Sequence, residues 1–153
     1  MMKKITLSLL IALVASAAAF AQIENPVKWS YTAKKISDKV YEVYITANLD
    51  SKWHIYAQDA GEGPSSTAIS FVKNPLVTMD GKIKEVGNLE KEYDKNFGSV
   101  LKFYSSKVTF VQKVKLRSNV ATTLKGAINY MVCNDKKCLP PKDVPFSIKL
   151  ETK

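Results

Sequence analysis

The sequence predicts an all-β domain built as a two-layer sandwich, and three observations predict it. Apolar residues recur at every second position in five long segments, those segments are rich in Val, Ile, Thr and Tyr, and no segment carries a 3.6-residue apolar period. Period-two alternation sends one set of side chains to a buried sheet face and the other to water. In the first segment Val27, Trp29, Tyr31 and Ala33 alternate with Lys28, Ser30, Thr32 and Lys34. In the second, Tyr41, Val43, Ile45, Ala47 and Leu49 form the apolar set. Shorter strand candidates follow at residues 53–57, 68–72, 82–86 and 100–104. The long pattern resumes with Val108, Phe110, Val114 and Leu116, then with Leu124, Ile128, Tyr130 and Val132. Val144, Phe146, Ile148 and Leu150 close the chain. With Gly, Pro, Asn and Asp at the turns, about seven to nine strands in one domain of this length match an immunoglobulin-like β-sandwich. Residues 58–67, with Gly61, Gly63 and Pro64, and residues 88–99 are the long irregular stretches, where function tends to sit.

The N-terminus reads as an address. Met1 to Lys4 is basic, an apolar run follows from about Ile5 to Val14, and Ala19-Phe20-Ala21 forms an A-x-A cleavage pattern before Gln22. The expected division is a signal peptide at residues 1–21 and one sandwich domain at residues 22–153. The apolar run is too short for a comfortable membrane span, and no second long apolar run follows, so the mature protein is expected to have no membrane span. Export also places the chain where disulfides persist.

Composition excludes much chemistry. The 153 residues hold 23 Lys+Arg against 14 Asp+Glu, one histidine, His54, and two cysteines, Cys133 and Cys138. These cannot furnish a four-ligand Cys/His zinc site, and no metal or cofactor is expected. The net charge of +9 is spread over polar strand faces in runs no longer than two, such as Lys34-Lys35. A nucleic-acid surface needs a basic stripe or cluster with stacking aromatics, so no nucleic-acid partner is expected. The charge suits a solvated basic surface able to steer acidic protein partners.

The cysteines are the feature to explain. Four residues separate them, Asn134-Asp135 suits a turn, and a strong strand precedes them. On a hairpin with a four-residue loop they would face each other about 4.5–5.5 Å apart at Cα, within reach of a disulfide. As a brace such a small ring would stabilise by only about 2 kcal/mol. Lys136 and Lys137 beside Cys138 would instead favour its thiolate, the attacking species in exchange. Pro140 and Pro141 restrict the chain leaving it.

Cys133-Asn134-Asp135-Lys136-Lys137-Cys138-Leu139-Pro140-Pro141 resembles the Cys–loop–Cys signature of the N-terminal, periplasmic, immunoglobulin-like domain of the thiol:disulfide interchange protein DsbD. Trp53-His54-Ile55-Tyr56 is similar to an aromatic strand that this family sets beside its cysteines. Tyr93-Asp94-Lys95-Asn96-Phe97-Gly98 resembles the loop that caps them. The resemblance implies a periplasmic electron-relay module, a component of a protein-disulfide reductase. Its partners would be thioredoxin-like or DsbD-type redox proteins. Cys138 would form the mixed disulfide and Cys133 would resolve it. Phe97 or Tyr93 would shield the pair, Asp94 would tune it, and Trp53 and Tyr56 would line the site. Two departures stand out. The loop holds four residues where familiar members hold five, and the chain ends at Lys153, ahead of the membrane and C-terminal domains of full-length DsbD. A free-standing exported domain is therefore expected.

Other readings stand beside this one. The domain would be a non-catalytic protein-binding sandwich if the disulfide only braces a hairpin, or a carbohydrate-binding module if Trp29, Trp53 and nearby tyrosines form stacking platforms. His54 in an aromatic strand reads first as a surface or partly buried side chain.

Overall fold

The computed structural model describes residues 24–95 and 97–152, so the segment read as a signal peptide lies outside the described residues. Eleven strands follow in chain order. They are β1 (Val27–Ser37), β2 (Val40–Leu49), β3 (His54–Tyr56), β4 (Ala68–Phe71), β5 (Val77–Gly87), β6 (Glu90–Asp94), β7 (Ser99–Tyr104), β8 (Lys107–Leu116), β9 (Thr122–Tyr130), β10 (Val132–Cys133) and β11 (Lys142–Leu150). Antiparallel pairing orders them as β1-β2-β8-β5, β10-β3-β7-β6 and β11-β9-β4. The chain runs from β9 through Met131 directly into β10, linking the second and third of these sheets. Among the described residues there is no helix long and apolar enough to cross a membrane. The fold is an immunoglobulin-like β-sandwich.

Alternation in the sequence becomes alternation in burial. In β2 the inward set Tyr41, Val43, Ile45 and Ala47 is buried while the intervening residues are partly exposed. Val108, Phe110, Val114 and Leu116 of β8 do the same and meet Leu124, Ile128, Phe146, Ile148 and Leu150 from the opposing layer in one core. Trp29 packs edge-on against Tyr130 at 5.2 Å, and Tyr31 stacks on Phe146 at 5.6 Å, so β1 closes the core at its rim. Gly126 is required by close approach, because a Cβ there would run into the Ser70 carbonyl and the Phe146 ring.

Gln112 occupies an inward position of β8 and is 4% exposed. Its explanation lies in β5, whose register against β8 shifts between Asp80 and Lys84. The Gln112 amide donates to the carbonyls of Asp80 and Gly81, each at 3.3 Å, and so satisfies backbone acceptors at this irregularity.

Three elements differ from the sequence reading. β5 begins at Val77, ahead of the expected 82–86. The stretch 88–99, expected to be irregular, contains β6, paired with β7 from Glu90↔Phe103 to Asp94↔Ser99. Its residues are charged and mostly exposed, so backbone pairing rather than an apolar face makes it a strand. β10 is only two residues long and exists because Val132 and Cys133 pair with Ile55 and His54.

Phe110 is fully buried at the centre of the core. Phe110→Ala is expected to cost about 3–5 kcal/mol. Equilibrium urea unfolding should show a lowered midpoint at unchanged slope.

Candidate functional site

The site is built on the outer face of a sheet whose inner face is sandwich core. Along a strand, successive side chains point to opposite faces. Thus Ile55, Tyr104 and Val132 join the main core. Their chain neighbours Tyr56, Phe103 and Cys133 gather with Leu101, Ala60 and Met131 in a second, smaller cluster. Register does the rest, setting Cys133 opposite His54, Ile55 opposite both Val132 and Tyr104, and Tyr56 opposite Phe103.

Cys133 and Cys138 form a disulfide across an isolated antiparallel bridge, with their Cα atoms 4.0 Å apart. The loop between them is an Asx turn. Asn134 Oδ1 accepts from the backbone N–H groups of Lys136 and Lys137, both at 2.9 Å, and Asn134 N donates to the Lys137 carbonyl. Beyond the second cysteine, Leu139 N donates to the Val132 carbonyl at 2.9 Å, so the exit toward Pro140 is held to β10. The two sulfur-bearing residues differ in environment: Cys133 is 2% exposed, whereas Cys138 is exposed.

Tyr56 Oη donates to Cys133 Sγ at 3.3 Å, and His54 Nε2 lies 3.4 Å from the same Oη. The His54 ring meets Tyr56 edge-on at 5.3 Å and packs on Phe103 at 4.6 Å. Burial holds the His54 pKa below its ordinary value against the upward pull of Asp135, Glu90 and Glu92. Burial, with Asp94 adding to it, raises the Tyr56 pKa, so this hydroxyl remains a neutral donor.

A cleft of about 560 Å³ opens over the disulfide. Tyr93, Asp94, Phe97, Tyr56, Lys136, Lys137 and both cysteines all border it. Trp53 does not; it is partly buried against the main core. Lys137 Nζ is paired with Glu24 at 2.6 Å, so part of its charge is directed to the N-terminal arm. Tyr93 and Phe97 are exposed. The turn bearing Phe97 is fastened by Asp94, whose Oδ1 accepts from Phe97 N at 3.2 Å and whose carbonyl accepts from Gly98 N at 2.8 Å.

The stretch 58–67 braces this cap from behind. Lys102 N donates to the Ala60 carbonyl, Ser99 Oγ donates to the Glu62 carbonyl, and the Phe97 ring lies against Gly63. Gly63 has φ +130°, and a Cβ there would occupy the space of that ring, so only glycine seats it without strain.

Sequence reasoning missed the acidic wall of the cleft, made by Glu90, Glu92 and Asp135 beside Asp94. A signal was present: Glu90, Glu92 and Asp94 alternate at period two, the spacing of one strand face. It also missed the place of His54 next to Tyr56. Among the described residues no group of three or more His, Cys, Asp or Glu could hold a metal ion.

The family described as thiol:disulfide interchange protein DsbD, N-terminal, matches residues 25–149. Solved structures share the fold. The N-terminal periplasmic domain of ScsB from Proteus mirabilis is 18% identical with a TM-score of 0.60, over 86% of this chain and 48% of that one. The chain thus spans about half the length of the ScsB domain. The DsbD N-terminal domain of Neisseria meningitidis in its reduced form is 17% identical with a TM-score of 0.56, over 88% and 94% of the two chains. The complex between the DsbD N-terminal and PilB N-terminal domains of the same organism matches at 15% identity and a TM-score of 0.51, over 82% and 87%. No curated protein matches in sequence.

Asn134→Ala removes the acceptor that shapes the Cys133–Cys138 loop. Loss of about 1 kcal/mol of hydrogen bonding should make the disulfide easier to reduce by about 20 mV. Equilibration against dithiothreitol buffers measures this, and an unchanged potential would show that the turn does not hold the pair.

Proposed function

The chain belongs to the family of DsbD N-terminal domains, and from that premise we propose that it is a thiol–disulfide exchange module working through Cys133 and Cys138. The observation that carries the reading is the asymmetry of the disulfide: both cysteines border the cleft of about 560 Å³, but Cys133 is 2% exposed and packed into a small core, whereas Cys138 is exposed. Exchange needs an attacking thiolate to reach one sulfur while the other departs. A buried Cys133 and an exposed Cys138 divide those parts between them.

In the reducing direction, a Cys138 thiolate attacks a disulfide of an exported protein and forms a mixed disulfide. Cys133 then attacks Cys138 Sγ, which releases the reduced partner and restores the Cys133–Cys138 bond. A thioredoxin-like or membrane-embedded thiol donor reloads the pair. The module acts in the periplasm after removal of the signal peptide. Phe97 and Tyr93 border the entrance and serve as the cap a partner displaces, while Lys136, Lys137 and Asp94 adjust thiolate stability. That the N. meningitidis DsbD domain was solved in complex with a PilB domain supports a protein as the partner.

Trapping tests the assignment. The Cys133→Ala protein should accumulate a mixed disulfide through Cys138 with a thioredoxin-like protein carrying a single cysteine, whereas Cys138→Ala should not. The reverse pattern would exchange the two roles. A wild-type reduction potential below about −300 mV, unresponsive to partner thiols, would instead mark a structural bond.

A further inference from the structure

We propose that His54 and Tyr56 form a proton relay to Cys133, with Tyr56 touching the reacting sulfur and His54 acting through Tyr56 as a positioning residue. The inference rests on the exchange reading above and deepens it. Cys133 is the sulfur that must leave or re-enter the bond, yet it is 2% exposed, so solvent is poorly placed to trade protons with it. Among the described residues one side chain donates to it, the Tyr56 hydroxyl at 3.3 Å. His54 Nε2 stands 3.4 Å behind that hydroxyl. Catalytic hydrogen bonds of this length in a resting site tighten when the reaction complex forms. Phe103 packs against the imidazole ring, and β3 pairing holds His54 directly across from Cys133.

The step balances without an outside oxidant. A partner thiolate attacks Cys138 Sγ, a partner–Cys138 S–S bond forms, and the Cys133–Cys138 bond breaks with its electron pair passing to Cys133 Sγ. The departing thiolate takes the Tyr56 hydroxyl proton, and protonated His54 replaces that proton from Nε2. The products are the mixed disulfide, a Cys133 thiol and neutral His54. In the opposite direction Cys133 returns its proton through Tyr56 to neutral His54 and attacks Cys138 Sγ of the mixed disulfide, so that the partner–Cys138 bond breaks and the partner leaves as its thiolate.

Several charges surround the relay. Asp135 from the cysteine loop and Glu90 and Glu92 from β6 favour the charged imidazole, while burial opposes it more strongly. Lys52, Asp94, Lys136 and Lys137 border the same cleft. Protonated His54 is therefore populated on the acid side of 6.5, where the leaving thiolate is helped most.

The test is the rate at which dithiothreitol reduces the disulfide of the full chain, expressed per dithiothreitol thiolate, between about pH 5 and 8. In the wild type this rate should fall as pH rises through the His54 titration. Tyr56→Phe should be about tenfold slower at the acid end, the loss expected for a hydrogen bond to a charged sulfur, and flat with pH. His54→Gln, which keeps a donor but cannot titrate, should also be flat. The double variant should be no slower than Tyr56→Phe. A wild-type slope retained in His54→Gln, or losses that multiply in the double variant, would overturn the relay. If Tyr56→Phe fails to fold, His54→Gln alone decides through its slope. Because dithiothreitol stands in for a partner, a His54-dependent profile with no exchange toward thioredoxin-like proteins would sink the proposed function and leave the relay intact.

Discussion

The rest of the site depends on one constraint, the opposed facing of Val132 and Cys133. Strand geometry sends consecutive side chains to opposite faces. Val132 is drawn into the sandwich core, so Cys133 must emerge on the far side of the sheet. The same holds for Ile55 and Tyr56 on β3 and for Tyr104 and Phe103 on β7. The hydrophobic effect that assembles the main core therefore also brings together the outer cluster around the sulfur, on backbone that strand pairing has already ordered. The stretch 58–67 then covers that outer face, with Ala60 fully buried and the Thr67 hydroxyl bonded to the Tyr56 carbonyl at 2.5 Å.

Electrostatics in the cleft is mixed rather than uniformly basic. Lys136 and Lys137 stand by Cys138, but Lys137 is engaged with Glu24, and Glu90, Glu92, Asp94 and Asp135 border the same space. Carboxylates and burial both disfavour a thiolate, and a hydrogen bond from Tyr56 favours one. Such a balance sets opposing influences on any thiolate formed when the disulfide opens. The cleft thus presents charges of both signs.

How much was legible can be judged residue by residue. The long strands were plain because Tyr41, Val43, Ile45 and Ala47, or Phe146, Ile148 and Leu150, each repeat at period two over many positions. The facing cysteines were legible from a four-residue loop with Asn134 in its first position, and the Asx turn bears out the reason given for it. β6 was not, because its charges carry no apolar stripe and its partner β7 supplies the bonds that order it. Trp53 illustrates the opposite error in kind: an aromatic beside the site in sequence packs instead on the main core, one residue being enough to change faces.

By itself the sequence determined the fold class and the family to which the chain belongs, and made a Cys133–Cys138 pairing geometrically reasonable. Those properties follow from short-range periodicity, turn chemistry and a local motif, which operate within a few residues. Tertiary structure alone decided that Cys133 is sheltered while Cys138 is exposed, that acids as well as lysines wall the cleft, and that His54 and Tyr56 stand in line behind one sulfur. These depend on register between strands about eighty residues apart in sequence, where a shift of one position would turn each side chain to the other face.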